Sequence, residues 1–227
     1  MAAPKGNEKF VSDADQRVHR RHLTVCRVGV IHSLSGNHFC RLRNISASGF
    51  MARVYHDVAV GDEVGMEVTS GQFLRGSVVW VRDSYVGVEF GSLIDVKSAL
   101  SGQDAAAAGY LPRLPRLGMK APARLRQGAR YYAASLCDIS PGGAQVEMPA
   151  TLTSGDVCLF LVGLPPIHGT VRWVRECRTG ISFNESLGLE PLAAWIRERR
   201  KLTSQCQHSR EPAGRRAPAA SRSEEAH

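Results

Sequence analysis

The sequence repeats itself, and that repeat limits the folds open to it more than any other feature. Residues 76–90 read GSVVWVRDSYVGVEF and residues 169–183 read GTVRWVRECRTGISF. Both follow one order: Gly, small, Val, any residue, Trp, Val, Arg, four residues, Gly, apolar, any residue, Phe. The offset is 93 residues. Upstream, LRNISASG at 42–49 matches LCDISPGG at 136–143, so Asn44, Ile45, Ser46 and Gly49 align with Asp138, Ile139, Ser140 and Gly143 at an offset of 94. Gly61-Asp62 and Gly155-Asp156 share that offset. Three blocks in one order at one spacing define two homologous units of about 90 residues, each the size of a small domain.

Within each unit the local pattern is β. Cys40 and Leu42 alternate with Arg41 and Arg43, and GSVVWV and GTVRWV are rich in β-branched and aromatic residues. The Gly-Asp pairs fall where turns between strands belong. Regularly spaced strands with no long helix between them predict an all-β antiparallel sandwich or small barrel. Val78 and Trp80 stand two apart, as do Val171 and Trp173, so each pair is expected to share one strand face. That makes the tryptophans fillers of the core or rim.

The remaining segments set the boundaries. SGQDAAAAGYLPRLPRLG, from residue 101, has no periodicity and reads as a linker. LEPLAAWIRERRKL spaces Leu189, Leu192, Ala193 and Ile196 at helical intervals, with Pro191 in the first turn. From Thr203 onward Ser, Arg, Pro, Ala and Glu dominate, a composition expected to stay disordered. The reading is therefore a flexible N-terminus at 1–11, a first domain at 12–100, a linker at 101–115, a second domain with a short C-terminal helix at 116–202, and a tail at 203–227.

Composition narrows the function. No apolar run approaches the roughly 18 residues that span a membrane, and the polar start MAAPKGNEKFVSDADQ lacks a secretory apolar stretch, so a soluble cytoplasmic protein is expected. The net charge is +8, yet the excess is only two, three and three over residues 1–100, 101–185 and 186–227. Charge spread in this way suits a small anionic ligand better than a long nucleic acid. The six cysteines include no Cys-x-x-Cys pair and read as inert thiols. No nucleophile elbow or P-loop occurs, and nothing completes a metal set beside His19 and His22. Neither catalysis nor a metal nor a cofactor is expected.

The first unit opens with QRVHRRHLTV, placing Arg17 and Arg21 four apart with Arg20 between them. Asn44-Ile45-Ser46-Ala47-Ser48-Gly49 follows. This Arg-x-x-x-Arg, then [Asp/Asn]-x-Ser-x-x-Gly, then Gly-x-Val-x-Trp…Gly-x-x-Phe resembles the PilZ domain over most of residues 12–95 and 116–190. The resemblance implies two tandem six-stranded antiparallel β-barrels and a receptor for cyclic di-GMP, with Arg17, Arg20, Arg21, Asn44, Ser46 and Gly49 at the ligand. The chemistry is coherent. An arginine fork meets guanine O6 and N7 or a phosphate, and Asn44 can accept from guanine N1–H and N2–H₂. A serine hydroxyl can donate to a phosphate oxygen. Gly49 would permit a tight turn and close approach of ligand to backbone. An arginine arm ordered by ligand would act as a switch toward a downstream protein partner.

The second unit carries Asp138, Ser140 and Gly143, but its nearest basic pair is Arg116 and Lys120. A lysine is a point charge and does not replace a guanidinium fork. The second unit is therefore read as a degenerate site. From Arg113 to Arg130 the chain holds six basic and no acidic residues, which is read as a solvated strand face. Two other functions stay open: a nucleotide-independent protein-interaction adaptor, and a basic barrel for single-stranded nucleic acid. The second is disfavoured by an aromatic content of 7% and by tryptophans in core-like positions, so no nucleic acid is expected.

Overall fold

The computed structural model describes residues 22–68, 73–101, 114–149 and 152–208. The strands are β1 (His22–Ser33), β2 (Gly36–Ser46), β3 (Gly49–Val54), β4 (Glu63–Glu67), β5 (Phe73–Arg82) and β6 (Tyr85–Phe90), followed by helix α1 (Val96–Ser101). The second set is β7 (Leu117–Gln127), β8 (Arg130–Ser140), β9 (Gly143–Glu147), β10 (Gly155–Leu161), β11 (Ile167–Arg175) and β12 (Arg178–Phe183), followed by α2 (Leu189–His208). Each set closes into a six-stranded antiparallel barrel, ordered β1-β2-β3-β6-β5-β4 and β7-β8-β9-β12-β11-β10. Closure leaves no unpaired sheet edge. Ile31, Cys40, Leu42, Ile45, Met66 and Val86 fill the first barrel, and Leu125, Leu136, Ile139 and Leu159 fill the second.

The expected all-β tandem architecture is present, with one correction. The C-terminal helix is present, and α2 runs 20 residues, carrying Thr203–His208, which the sequence assigns to the tail. Between Pro191 and Pro212 the chain holds no proline or glycine, and the Thr203 hydroxyl donates to the Arg199 carbonyl at 3.0 Å, a bond made within the helix. The correction concerns the tryptophans. Val78 pairs with Val88 but Trp80 pairs with Gly87, and Val171 pairs with Ile181 but Trp173 with Gly180. One extra residue in β5 and in β11 forms a bulge that inverts the alternation. Val78 is buried inside, whereas Trp80 emerges on the outer wall at 38% exposure.

Helix α2 also joins the two barrels. Leu192, Trp195 and Ile196 are buried, and the Trp195 indole N–H donates to the Val162 carbonyl at 2.8 Å. Val30 and Phe39, a cross-strand pair on the outer wall of barrel 1, are each 1% exposed and belong to barrel 2's apolar cluster. Other α2 side chains turn to barrel 1. Arg197 donates to the Tyr55 carbonyl at 3.1 Å and Arg200 to the Asn37 carbonyl at 2.6 Å, while Arg53 meets Glu190 at 3.2 Å. Glu190 is well exposed, so that ion pair is worth at most about 1 kcal/mol. Burying the Phe39 ring contributes about 2–3 kcal/mol, so apolar packing dominates the joint.

Two histidines lie at this joint. The His38 and His56 rings stack with centroids 3.8 Å apart. Both ring nitrogens of His56 are buried without a hydrogen-bond partner. Burial first, and the His38 ring second, push the His56 pKa from its ordinary 6.5 down to about 4. Burial and then the Arg200 charge lower His38 as well. Between those pH values the unfolded chain takes up a proton that folded His56 refuses. The contribution is therefore intact above about pH 6.5 and is lost as pH falls toward 4. Urea unfolding should show stability declining over that window, with a shallower decline in His56→Phe; equal slopes would remove His56 as the cause.

Candidate functional site

The Asn-x-Ser-x-x-Gly block forms the end of β2, a two-residue turn and the start of β3. Leu42 pairs with Ala52 but Asn44 with Met51, so a bulge at Arg43 sits just before the motif. Leu42 and Ile45, both at 1% exposure or less, face the core although they stand three apart. The bulge thereby turns Asn44 and Ser46 to the outside. The Ser46 hydroxyl donates to the Gly49 carbonyl at 3.1 Å and lies 3.4 Å from the Ser48 hydroxyl. A Cβ on Gly49 would collide with the Val88 carbonyl of β6. In barrel 2, Ser140 donates to the Gly143 carbonyl at 3.2 Å, and a Cβ on Gly143 would meet the Ile181 carbonyl. The serine thus braces the turn and the glycine admits a neighbouring strand. Both roles precede any service to a ligand.

Beside this turn lies an open groove of about 920 Å³. Asn44, Ser46, Gly49 and Met51 line one side and Val79 and Trp80 another, with Glu89, Ser92 and Leu93 beyond. The Trp80 indole lies directly over Gly87, where any Cβ would strike the ring. Sequence reasoning missed Trp80 as a site residue. The available signal was the glycine seven residues after each tryptophan, Gly87 after Trp80 and Gly180 after Trp173, which leaves room for an indole on the outer wall. Arg17, Arg20 and Arg21 lie outside the described residues.

The matching groove of barrel 2 holds about 250 Å³ and is lined by Arg116, Ser140, Gly142, Arg172, Trp173 and Ser182, among others. Arg116 donates to the Asp138 carboxylate at 2.8 Å. The strand register explains the meeting. Gly118 lies opposite Asp138 and Leu117 opposite Ile139, so Arg116, just before β7, stands within reach of the Asp138 carboxylate. Lys120 sits further along β7, on its exposed face, and does not line the groove. Of the residues proposed for a second site, the structure brings Arg116, Asp138 and Ser140 together, sets Gly143 at the foot of the turn, and leaves Lys120 apart. Arg172 and Ser182 stand where barrel 1 has Val79 and Glu89.

Fold and grooves define a class: tandem closed barrels, each with a motif turn beside a surface groove that an outward-facing tryptophan walls. The PilZ domain family matches residues 15–101 and again residues 112–198, so the chain belongs to that family, with the domain present twice. No curated protein matches the chain. Among solved structures, it is similar to Borreliella burgdorferi PlzA in complex with c-di-GMP, at 15% identity over 77% of this chain and 87% of that one, with a TM-score of 0.36. Bacillus subtilis inhibitor of motility MotI/DgrA matches at 10% identity over 81% and 100%, with a TM-score of 0.33. Escherichia coli YcgR in complex with c-di-GMP matches at 13% identity over 81% and 88%, with a TM-score of 0.31. Membership in the family rests on the matched residues, not on these overlays. Among the described residues, no helix is long and apolar enough to cross a membrane.

The glycine-under-tryptophan arrangement predicts a measurable change. Gly87→Ala should force the Trp80 ring off the wall and shift tryptophan emission to the red, with the barrel still folded by circular dichroism. An unchanged spectrum would mean that the indole does not rest on Gly87.

Proposed function

We propose that the chain is a cyclic di-GMP receptor, not an enzyme, and that ligand lies in the groove of barrel 1. The carrying observation is the contrast between the two grooves. In barrel 2 the motif carboxylate of Asp138 is already engaged by Arg116, which itself lines a groove of only about 250 Å³. In barrel 1 the corresponding Asn44 is neutral and lines a groove of about 920 Å³, inside the usual range for small-molecule sites. Glu89 is the one charged side chain among that groove's described lining residues. A dianionic ligand therefore needs cations from elsewhere, and Arg17, Arg20 and Arg21 immediately precede β1. In sequence Arg21 immediately precedes β1 as Arg116 immediately precedes β7, and Arg116 reaches Asp138 in barrel 2, so Arg21 is the expected neighbour of Asn44.

In this reading the guanidinium groups pair with phosphates and with guanine O6 and N7. Asn44 accepts from the guanine N1–H and N2–H₂ edge, and the Trp80 ring borders the same space. Ser46 and Gly49 hold the turn that presents Asn44. Ligand recruits the arm around residues 12–22, and that ordering is the signal passed to a downstream protein. The engaged Arg116–Asp138 pair favours a structural or protein-contact role for barrel 2. The cytoplasm is the compartment in which such a receptor would work.

Calorimetric titration of cyclic di-GMP into the intact chain tests this. Binding should vanish in Arg17→Ala/Arg21→Ala, weaken about tenfold or more in Asn44→Ala, and persist in Asp138→Ala. No binding by the intact protein would overturn the receptor reading.

A further inference from the structure

Barrel 2 has an outer face that neither groove uses. Burial along β7 alternates strictly, with Leu117, Met119, Ala121, Ala123 and Leu125 inside and Lys120, Pro122, Arg124 and Arg126 outside. β8 sets Tyr131 opposite Arg126 and Ala133 opposite Arg124, and β10 sets Phe160 on the other flank of Arg124. Tyr131 is 53% exposed. The Arg124 guanidinium lies 5.1 Å over its ring, and the Phe160 ring centroid is 6.1 Å from it. Between Arg116 and Cys137 the sequence has no acidic residue, and none falls between Val157 and Leu161 of β10.

We propose that this face of barrel 2 binds single-stranded nucleic acid. Outward residues on a strand stand about 6.6 Å apart, so Lys120, Arg124 and Arg126 form a cationic row about 20 Å long. That row is complementary to a phosphate backbone. The aromatic pair decides among polyanions. A duplex keeps its bases stacked inside and meets such a face through its phosphates alone. An unpaired base can stack on an exposed ring flanked by guanidinium groups, the combination that single-strand binders use on β-barrels. The sequence argues against nucleic acid through its low aromatic content. A stacking platform needs only one or two rings placed among cations, and Tyr131 and Phe160 meet that need.

The test uses the full chain and fluorescence polarisation with a labelled 20-nucleotide oligo(dT) and oligo(U), a duplex of equal length, and phosphatidylglycerol vesicles. Single strands should bind in preference to duplex, with log K falling against log salt at a slope of about −2 for three phosphate contacts. Arg124→Ala/Arg126→Ala should weaken binding and bring the slope to about −0.7. Tyr131→Ala should weaken binding about fivefold or more and leave the slope unchanged. All of these side chains are exposed, and circular dichroism verifies that the variants fold. The proposal fails if no oligonucleotide binds, or if binding is indifferent to these substitutions. It fails equally if vesicles or duplex bind as tightly as single strands and Tyr131→Ala has no effect.

Discussion

An antiparallel strand shows its side chains alternately to the core and to solvent, and one extra residue reverses everything beyond it. This constraint governs both barrels. The bulge at Arg43 lets Leu42 and Ile45 share the core while Asn44 and Ser46 face out. The bulge in β5 keeps Val78 inside and sends Trp80 to the outer wall. Without these two insertions the motif asparagine and the tryptophan would compete with the core for space, and no polar groove would form between them. The same irregularities recur in β8 and β11, so the groove is a property of the repeated unit.

What differs between the units is the chemistry set on that shared geometry. Barrel 1 pairs a neutral Asn44 with a wide groove whose described lining carries a single charge, Glu89. Barrel 2 closes an ion pair between Arg116 and Asp138, and its smaller groove sets Arg172 beside Trp173. Two copies of one scaffold are thereby free to serve different ends. Helix α2 ties those ends together, burying Leu192, Trp195 and Ile196 while contacting barrel 1 through Arg197 and Arg200. A change in the groove of barrel 1 has a short route to this joint, because β3 carries Met51 into the groove and Arg53 into the contact with Glu190.

The repeat, the barrels and the family were legible in the sequence because they depend on which residues recur. Glycines against neighbouring strands, apolar alternation and turn pairs survive as letters. Facing was less legible. Val78 and Trp80 are two apart, and period-two reasoning places them together; a bulge leaves no mark in periodicity. The roles of Ser46 and Gly49 were half legible: their turn chemistry is common, but the approach of the Val88 carbonyl that demands Gly49 is a long-range fact. Pairing Arg116 with Lys120 follows sequence spacing, whereas the fold joins Arg116 to Asp138 and leaves Lys120 off the groove. The last turns of α2 were not legible because composition turns polar before the helix ends. The bearing of Tyr131 on the basic strand required knowing which strands are neighbours.

The three tryptophan indoles offer a direct reading of where ligand sits. In a ¹H–¹⁵N correlation spectrum of the intact chain, cyclic di-GMP should move the indole signal of Trp80 and the side-chain amide of Asn44. The indoles of Trp173, in the groove of barrel 2, and Trp195, in helix α2, should change little by comparison. Movement of Trp173 with Trp80 fixed, or no change in any of these signals at saturating ligand, would contradict a ligand site in the first barrel.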